Sequence, residues 1–294
     1  MKSEFPCRIC AADTAPVGTK WGHFRKREFH LRRCPECGYA FVADPWTDYA
    51  AIYSDDYYAG KGADPLVDYR YELDHPDETI RLYEWRGIAR AVSSLMPIGQ
   101  ETAWLDFGCG NGGLVRYCRE RFGCRIAGFE EGAIATAAAG HGVTILTDSD
   151  LADAAGAFDV VTAIEVLEHT ADPMATLRQI RQLLKPGGLF FYTTGNAAPF
   201  RRRLTEWRYV TPEIHISFFE PETLRRALRV AGFQPEFRGW LPGFTDIMRF
   251  KILKNLRTRR RSWLEKAAPW PLLARAAERQ VRLFEHPVGW AQSK

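Results

Sequence analysis

Trp104-Leu-Asp-Phe-Gly-Cys-Gly-Asn-Gly-Gly-Leu114 is the stretch on which the reading of this chain turns. Gly108, Gly110 and Gly113 match G-x-G-x-x-G, a loop that lets backbone approach a bound phosphate. Ala103 to Phe107 reads as a short apolar strand, and Gly112 to Phe122 as the helix that follows it. Asp106 does not suit a phosphate. It closes the strand, two positions before the first glycine. Two like charges about 4 Å apart repel by about 4 kcal/mol at an effective dielectric of about 20. A pyrophosphate is therefore disfavoured there, and a cationic ammonium is favoured.

The same alternation continues outward. Arg125 to Phe129 is a strand, Ala133 to Ala139 a helix, and Val143 to Leu146 a third strand. Phe158 to Val166 is a longer strand and Pro173 to Leu184 a helix, with Leu177, Ile180, Leu183 and Leu184 at helical spacing. Lys185-Pro-Gly-Gly188 ends that helix, and Leu189 to Thr193 is the next strand. Such alternation with short loops predicts a parallel sheet with helices on both faces. Pro221 to Ala231 is a further helix, Phe233 to Gly239 a strand, and Val288 to Ala291 a short final strand.

Glu130 ends the second strand, about 20 residues after the glycines, where an acidic side chain accepts hydrogen bonds from ribose hydroxyls. The helix N-terminus after the loop favours a carboxylate. An ammonium, a carboxylate and a ribose together describe S-adenosylmethionine (SAM). The competing reading of the loop alone is a tight turn in a nucleotide oxidoreductase.

The ordered set Leu105-Asp-Phe-Gly-Cys-Gly110, Gly128-Phe-Glu130, Phe158-Asp-Val-Val161, Glu165-Val-Leu-Glu-His169 with Asp172-Pro173, and Leu184-Lys-Pro-Gly-Gly188 resembles class I SAM-dependent methyltransferases of the type 11/23-like group. The resemblance runs from roughly residue 100 to 240. It implies an α/β, Rossmann-like, doubly wound sheet of seven strands in the order 3-2-1-4-5-7-6. It assigns SAM binding to Asp106, Gly108, Gly110, Asn111, Glu130, Glu165 and Asp148, with Asp150 competing for the role of Asp148. Tyr57 and Tyr58, with Tyr53, resemble a segment that closes over SAM in related zinc-ribbon enzymes. Packing between domains is the other reading of these tyrosines.

Glu165-Val-Leu-Glu-His169 is similar to the matching stretch of ubiquinone-pathway O-methyltransferases, whose two glutamates and histidine are associated with a divalent cation. Three readings of Glu165, Glu168 and His169 stay open here: positioning by hydrogen bonds, a general base, or a cation site. His215, expected on the opposite rim of the cleft, is either catalytic or structural. A hydroxyl acceptor needs its proton removed, and histidine suits that work near neutral pH.

Before this domain lie Cys7-x-x-Cys10 and Cys34-x-x-Cys37-Gly38, separated by 23 residues. Two such knuckles present the four thiolates that zinc prefers. Roughly 40 residues rarely fold without a metal or another staple. A structural zinc held by Cys7, Cys10, Cys34 and Cys37 is the expectation, with Trp21 to Leu31 as a hairpin between the pairs. The chain thus divides into a zinc-ribbon module (1–44), a tyrosine-rich linker and helical cap (45–98) and a methyltransferase domain (99–294). The cap helix carries Ile80, Tyr83, Ile88, Ala91, Val92 and Leu95 on one stripe and is stopped by Pro97 and Gly99. A helical insertion at about 245–286, broken near Pro269 and Pro271, places Leu253, Leu256, Trp263, Leu264 and Ala267 on one face, opposite Arg257 to Arg261. A packed helix with a solvated face, a substrate lid and a homodimer contact are its open readings.

The chain has 294 residues, 46% of them hydrophobic, with seven cysteines and a formal net charge of +4. An odd cysteine count with four clustered argues against a disulfide framework. The start MKSEFPCRIC has no apolar core of a secretory signal, and no apolar run reaches the roughly 18 residues of a membrane span. A cytoplasmic enzyme is expected. Its acceptor is expected to be a small hydroxylated molecule, such as a nucleotide-linked sugar or secondary metabolite. The basic runs Arg201-Arg-Arg203 and Arg257 to Arg261 suit a phosphate-bearing acceptor or a peripheral anionic membrane. The rival readings are a zinc-ribbon RNA-binding methyltransferase and a catalytically silent SAM-binding protein. The charge alone is a weak sign of nucleic acid.

Overall fold

The computed structural model describes residues 4–62, 68–236, 241–281 and 289–293. The N-terminal part is a hairpin, β1 (Ala15–Trp21) and β2 (Glu28–Arg33), followed by β3 (Ala40–Val42). Three short helices follow: α1 (Tyr49–Ile52), α2 (Asp55–Tyr58) and α3 (Tyr69–Asp74). Then α4 (Arg81–Leu95) buries Tyr83, Ile88, Ala91 and Val92 along the expected stripe.

The alternating region is β4 (Ala103–Phe107), α5 (Gly113–Phe122), β5 (Arg125–Phe129), α6 (Ile134–Gly140), β6 (Ile145–Leu146), α7 (Asp148–Asp153), β7 (Phe158–Ile164), α8 (Pro173–Leu183) and β8 (Leu184–Thr193). Asp172 caps α8 by accepting from the Ala175 N–H at 2.9 Å, and Pro173 occupies the first turn, where its missing N–H costs nothing. A dipeptide strand β9 (Ser217–Phe218) precedes α9 (Pro221–Val230), β10 (Phe233–Glu236), α10 (Phe244–Asn255), α11 (Trp263–Ala267), α12 (Trp270–Val281) and β11 (Gly289–Ser293).

The large sheet has seven strands in the order β10-β11-β8-β7-β4-β5-β6. Numbered along the alternation, this is the expected order 3-2-1-4-5-7-6. β4, β5, β6, β7 and β8 run parallel, and β11 lies antiparallel to both β8 and β10. Strand order reverses between β4 and β7. A crevice therefore opens beyond their carboxyl ends.

The ribbon is joined to the rest of the chain. β1, β2 and β3 share a four-stranded sheet with β9, through Ala40 opposite Phe218 and Phe41 opposite Ser217. Tyr39 and Phe41 pack in the same apolar cluster as Phe190, Tyr192 and Phe219.

The insertion is three helices: the break expected near Pro269 lies between α11 and α12, and a further one follows α10. Arg257 takes a left-handed φ of 57° just past Leu256, the residue that caps α10, which ends the helical path. The segment beyond it turns back to the start of α4, where the Ile80 N–H donates to the Arg259 carbonyl at 3.1 Å. The expected apolar stripe breaks with it. Leu253 is buried, while Leu256 and Trp263 are 70% and 75% exposed. Residues 237–239 of the sixth expected strand, the end of the insertion and Val288 lie outside the described residues, as does the side chain of Leu264. Among the described residues, no helix is long and apolar enough to cross a membrane.

Candidate active site

A cavity of about 1650 Å³ opens at the switch point. Single ligand pockets span about 300–1000 Å³, so two molecules fit side by side. Its floor is the glycine loop. Gly108 has φ +75°, and a Cβ there would lie 2.6 Å from the Val166 side chain, so only glycine fits. Asp106 is buried and accepts from the Thr162 hydroxyl at 2.7 Å. Burial pushes its carboxyl up to about 7, opposed by that hydrogen bond and aided by the nearby Glu130 charge. A buried carboxylate with so little compensation suits a cationic ligand group.

Glu130 is held by two backbone donors, Gly110 N–H at 2.9 Å and Gly132 N–H at 2.8 Å. Burial raises its pKa against these two bonds. Asn111 borders the cavity, but its amide is spent inside the protein, donating to the Tyr69 carbonyl and to Glu72, each at 3.1 Å. Its carbonyl accepts from the Gly113 N–H at 3.1 Å. It pins the loop to α3.

The tyrosines form one wall. Tyr57 and Tyr58 are buried and meet edge to face with centroids 5.2 Å apart, and Tyr53 meets Tyr57 at 4.9 Å. Asp148 is exposed at the start of α7 and lines the cavity. Asp148 and Asp150 differ in their partners. Asp150 accepts from the Thr147 N–H and hydroxyl at 2.8 and 2.7 Å, and these bonds lower its pKa. Asp150 does not line the cavity.

The opposite wall holds the acidic turn. Glu165 takes a left-handed φ of 56° at the end of β7. Its carboxylate lies 3.1 Å from the Lys251 ammonium, on α10, and 3.1 Å from the Tyr209 hydroxyl. Glu168 is fully buried and accepts from Tyr209 at 2.5 Å and Thr194 at 2.7 Å. Burial pushes its pKa up to about 8, with the Glu165 charge adding to the rise and the two hydroxyls opposing it.

His215 does not stand on the far rim. Its ring meets that of His169 edge to face, and the ligand atoms of Glu168, His169 and His215 lie within 4.8 Å of one another. Glu165 is outside that group. His169 Nδ1 lies 3.0 Å from the Tyr53 hydroxyl. A stack of Phe200, Trp207, Tyr209 and His215 backs the wall, with successive centroids at 5.2, 4.8 and 4.2 Å. Arg208, Lys254 and Arg257 line the same cavity.

Sequence reasoning missed Tyr209 and Lys251. Tyr209 sits in an irregular loop with no motif to mark it. Lys251 lies within the insertion read as a solvated cationic face. Its ammonium also reaches Glu84 at 3.5 Å, and Arg81 bridges Glu84 and Glu72 at 2.7 and 3.3 Å.

Away from the cavity, Cys7 and Cys37 sulfurs lie 3.5 Å apart, as do those of Cys10 and Cys34, and all four lie within 4.8 Å of one another. A tetrahedron of zinc–sulfur bonds of about 2.3 Å has edges of roughly 3.8 Å, so the donor set fits with little adjustment. Ala11 and Gly38, each directly after the second cysteine of a pair, are both left-handed, at φ 60° and 77°. A Cβ on Gly38 would also lie 2.9 Å from the Glu220 carboxylate.

A family model described as a methyltransferase domain matches residues 79–236. A Cereibacter sphaeroides protein named ubiquinone biosynthesis O-methyltransferase is 38% identical over 163 residues, covering 50% of this chain and 65% of that protein. One of the same name from Xanthomonas axonopodis pv. citri is 30% identical over 56% of this chain and 76% of its own length. The chain spans between 56% and 65% of the first three curated relatives it matches. A solved geranyl diphosphate C-methyltransferase from Streptomyces coelicolor A3(2) aligns with a TM-score of 0.49 at 18% identity, over 72% of this chain and 79% of that one.

Proposed function

The chain belongs to the class I SAM-dependent methyltransferases, and from that premise we propose that it methylates a hydroxyl of a small, phosphate-bearing acceptor. The observation that carries the reading is the cavity itself. It joins the buried Asp106 carboxylate to the His169–His215 pair in one space large enough for donor and acceptor together.

When bound, SAM supplies a methyl group on a sulfonium, ready for in-line displacement. Asp106 holds the ammonium end. Glu130, fixed by two N–H donors, takes the ribose hydroxyls. Asp148 would meet the adenine, and Tyr57 and Tyr58 would lie against the donor. Aromatic faces near a sulfonium add cation–π attraction.

His215 prepares the acceptor. Its Nδ1 lies 2.6 Å from the Tyr209 carbonyl, so the ring proton sits on Nδ1 and Nε2 keeps the lone pair. Nε2 takes the hydroxyl proton as the oxygen attacks. His169, held by Tyr53, orients the acceptor beside it. Arg208, Lys254 and Arg257 meet a phosphate. A nucleotide-linked sugar satisfies these demands. A phenolic quinol precursor, the acceptor class suggested by the relatives' names, satisfies the hydroxyl requirement without using the cations. The four cysteines hold a structural zinc.

The test is incubation with methyl-labelled SAM and a panel of nucleotide-linked sugars, phenolic quinol precursors and RNA. Label on a phosphate-bearing hydroxyl compound supports the proposal. Label on a phenol lacking phosphate removes the role of the cations, and label in RNA alone defeats the small-molecule reading.

A further inference from the structure

The ribbon's place in the fold bears on the acceptor side of the cavity. β9 lies between the ribbon and the turn that carries Glu168 and His169. On the ribbon side it pairs with β3, and the Val42 N–H donates to the Ile216 carbonyl at 3.0 Å. On the other side the Ile216 N–H donates to the Glu168 carbonyl at 2.8 Å, and the Ser217 hydroxyl donates to the Thr170 carbonyl at 2.7 Å. These two bonds straddle His169 on the turn and start directly after His215 on the segment that leads into β9.

The link runs back to the cysteines through buried groups. Ser217 spends its proton on Thr170, so the Tyr39 hydroxyl, 2.7 Å away, is the donor in their contact. Tyr39 and Ser217 are both fully buried. The Tyr39 carbonyl accepts from the Cys34 N–H at 2.8 Å, and the Cys37 carbonyl accepts from the Thr223 hydroxyl at 2.5 Å. The second knuckle is thus tied to β9 and to α9. Asp106 and Glu130, by contrast, stand on β4 and directly after β5, in the other sheet.

We propose that the four-cysteine ribbon is the positioning element of the acceptor half of the site, with Tyr39 and Ser217 as the positioning residues that fix His215 against His169. The inference rests on the reading that this histidine pair serves the acceptor. It assigns the ribbon a task inside the enzyme: its integrity sets turnover while leaving donor affinity alone. Two rings in edge-to-face contact depend on the relative placement of two backbone segments, and β9, which continues the His215 segment, is held to the turn that carries His169 through Ile216 and Ser217. A displacement near 1 Å at such a site costs roughly a hundredfold in rate.

The test uses the full chain with its histidines isotopically labelled. Ser217→Ala removes both hydroxyl contacts. Tyr39→Phe removes one oxygen and keeps the ring, so it serves as the decisive variant where Ser217→Ala fails to fold. The ring signals of His169 and His215 should shift in both variants, more in Ser217→Ala, while calorimetric affinity for S-adenosylhomocysteine stays within about twofold. Unmoved histidine signals in a folded Tyr39→Phe protein would overturn the proposal. Stripping the ribbon of metal with a chelator should broaden the same two signals and leave S-adenosylhomocysteine binding in place. Loss of that binding on stripping would also overturn it, because the two halves would then not be separable. Absence of methyl transfer to any acceptor would count against the proposed function and leave the histidine readout to judge the ribbon.

Discussion

The imidazole rings of His169 and His215 meet edge to face, with centroids 4.9 Å apart and planes at 74°. The Tyr209 carbonyl holds the Nδ1 proton of His215, which leaves Nε2 as the ring's acceptor atom. Removing the ring removes the proposed base and leaves the donor half untouched. His215→Ala is expected to lower kcat by about 100- to 10,000-fold. Affinity for S-adenosylhomocysteine should stay within about twofold. Steady-state kinetics beside calorimetry check both; an unchanged kcat removes His215 from proton transfer.

As the proposed partner of the donor's ammonium, Asp106 should make donor binding depend on pH. Its carboxyl is pushed up to about 7 by burial, so below that pH the folded protein carries it neutral. An ammonium prefers the ionised form, so binding and ionisation are linked. With a folded pKa above the ordinary carboxylate range, donor affinity is highest above pH 7 and declines as pH falls through it. The decline approaches about tenfold per pH unit for a single linked proton. Binding below pH 7 should release that proton, which calorimetry in two buffers of different ionisation enthalpy detects. Asp106→Asn should weaken binding about 10- to 100-fold and flatten the profile. A profile already flat in the unaltered protein would show that Asp106 does not meet the ammonium.

The donor half of the cavity is far more legible in the sequence than the acceptor half. Asp106, the glycines and Glu130 lie within one strand–helix–strand unit, so period and spacing alone bring them together. The four cysteines are legible for a similar reason, since each C-x2-C pair makes its own knuckle. The acceptor half draws on distant loops. Tyr209 and His215 come from an irregular segment whose path is set by pairing of β9 with the ribbon, and no local pattern encodes that pairing. Lys251 is hidden by its neighbours. Basic residues around it suggest a solvated face, whereas the turn at Arg257 lets α10 pack on α4 and carry Lys251 inward. Asn111 lines the cavity as its place in the loop suggests, while its amide also holds α3, a second task that the motif does not reveal.

Lys251 should be costly to remove. Its ammonium reaches Glu165 at 3.1 Å and Glu84 at 3.5 Å, and its side chain is 13% exposed. Lys251→Met leaves Glu165, whose side chain is 23% exposed, without its ammonium, while the buried Glu84 keeps Arg81 at 2.7 Å, so a loss of about 1–3 kcal/mol is expected. Urea unfolding measures the loss. The double variant Lys251→Met with Glu165→Gln should recover a good part of it, because the orphaned charge is gone. A loss in the single variant below about 0.5 kcal/mol, the range of ordinary surface changes, would mean that the pair is solvated and inert.

The acidic turn also bears on cation dependence. Glu165 already faces Lys251, and the Glu168 oxygens lie within hydrogen-bond reach of Tyr209 and Thr194. A divalent cation at Glu168, His169 and His215 would have to displace those hydroxyls and draw a proton from a carboxyl pushed up to about 8 by burial. Turnover is therefore expected to be the same with and without added magnesium, and after brief treatment with a chelator too weak to strip the ribbon. A loss restored by magnesium alone would place a cation among those three side chains.

The ribbon's metal has its own signature. Four sulfurs this close cannot all ionise without a cation between them, because like charges at such spacing repel strongly. Zinc binding supplies that cation and couples metal uptake to folding of the N-terminal sheet. Protein purified without chelator is expected to carry a single zinc per chain by elemental analysis. Cys10→Ser should lose it and melt at a lower temperature. Because Tyr39 and Phe41 share a cluster with Phe190 and Tyr192, the loss should reach the catalytic domain as well as the ribbon. Calorimetric melting of the variant against the parent reads both effects. A Cys10→Ser protein that melts with the parent would show that the thiol cluster does not support the fold.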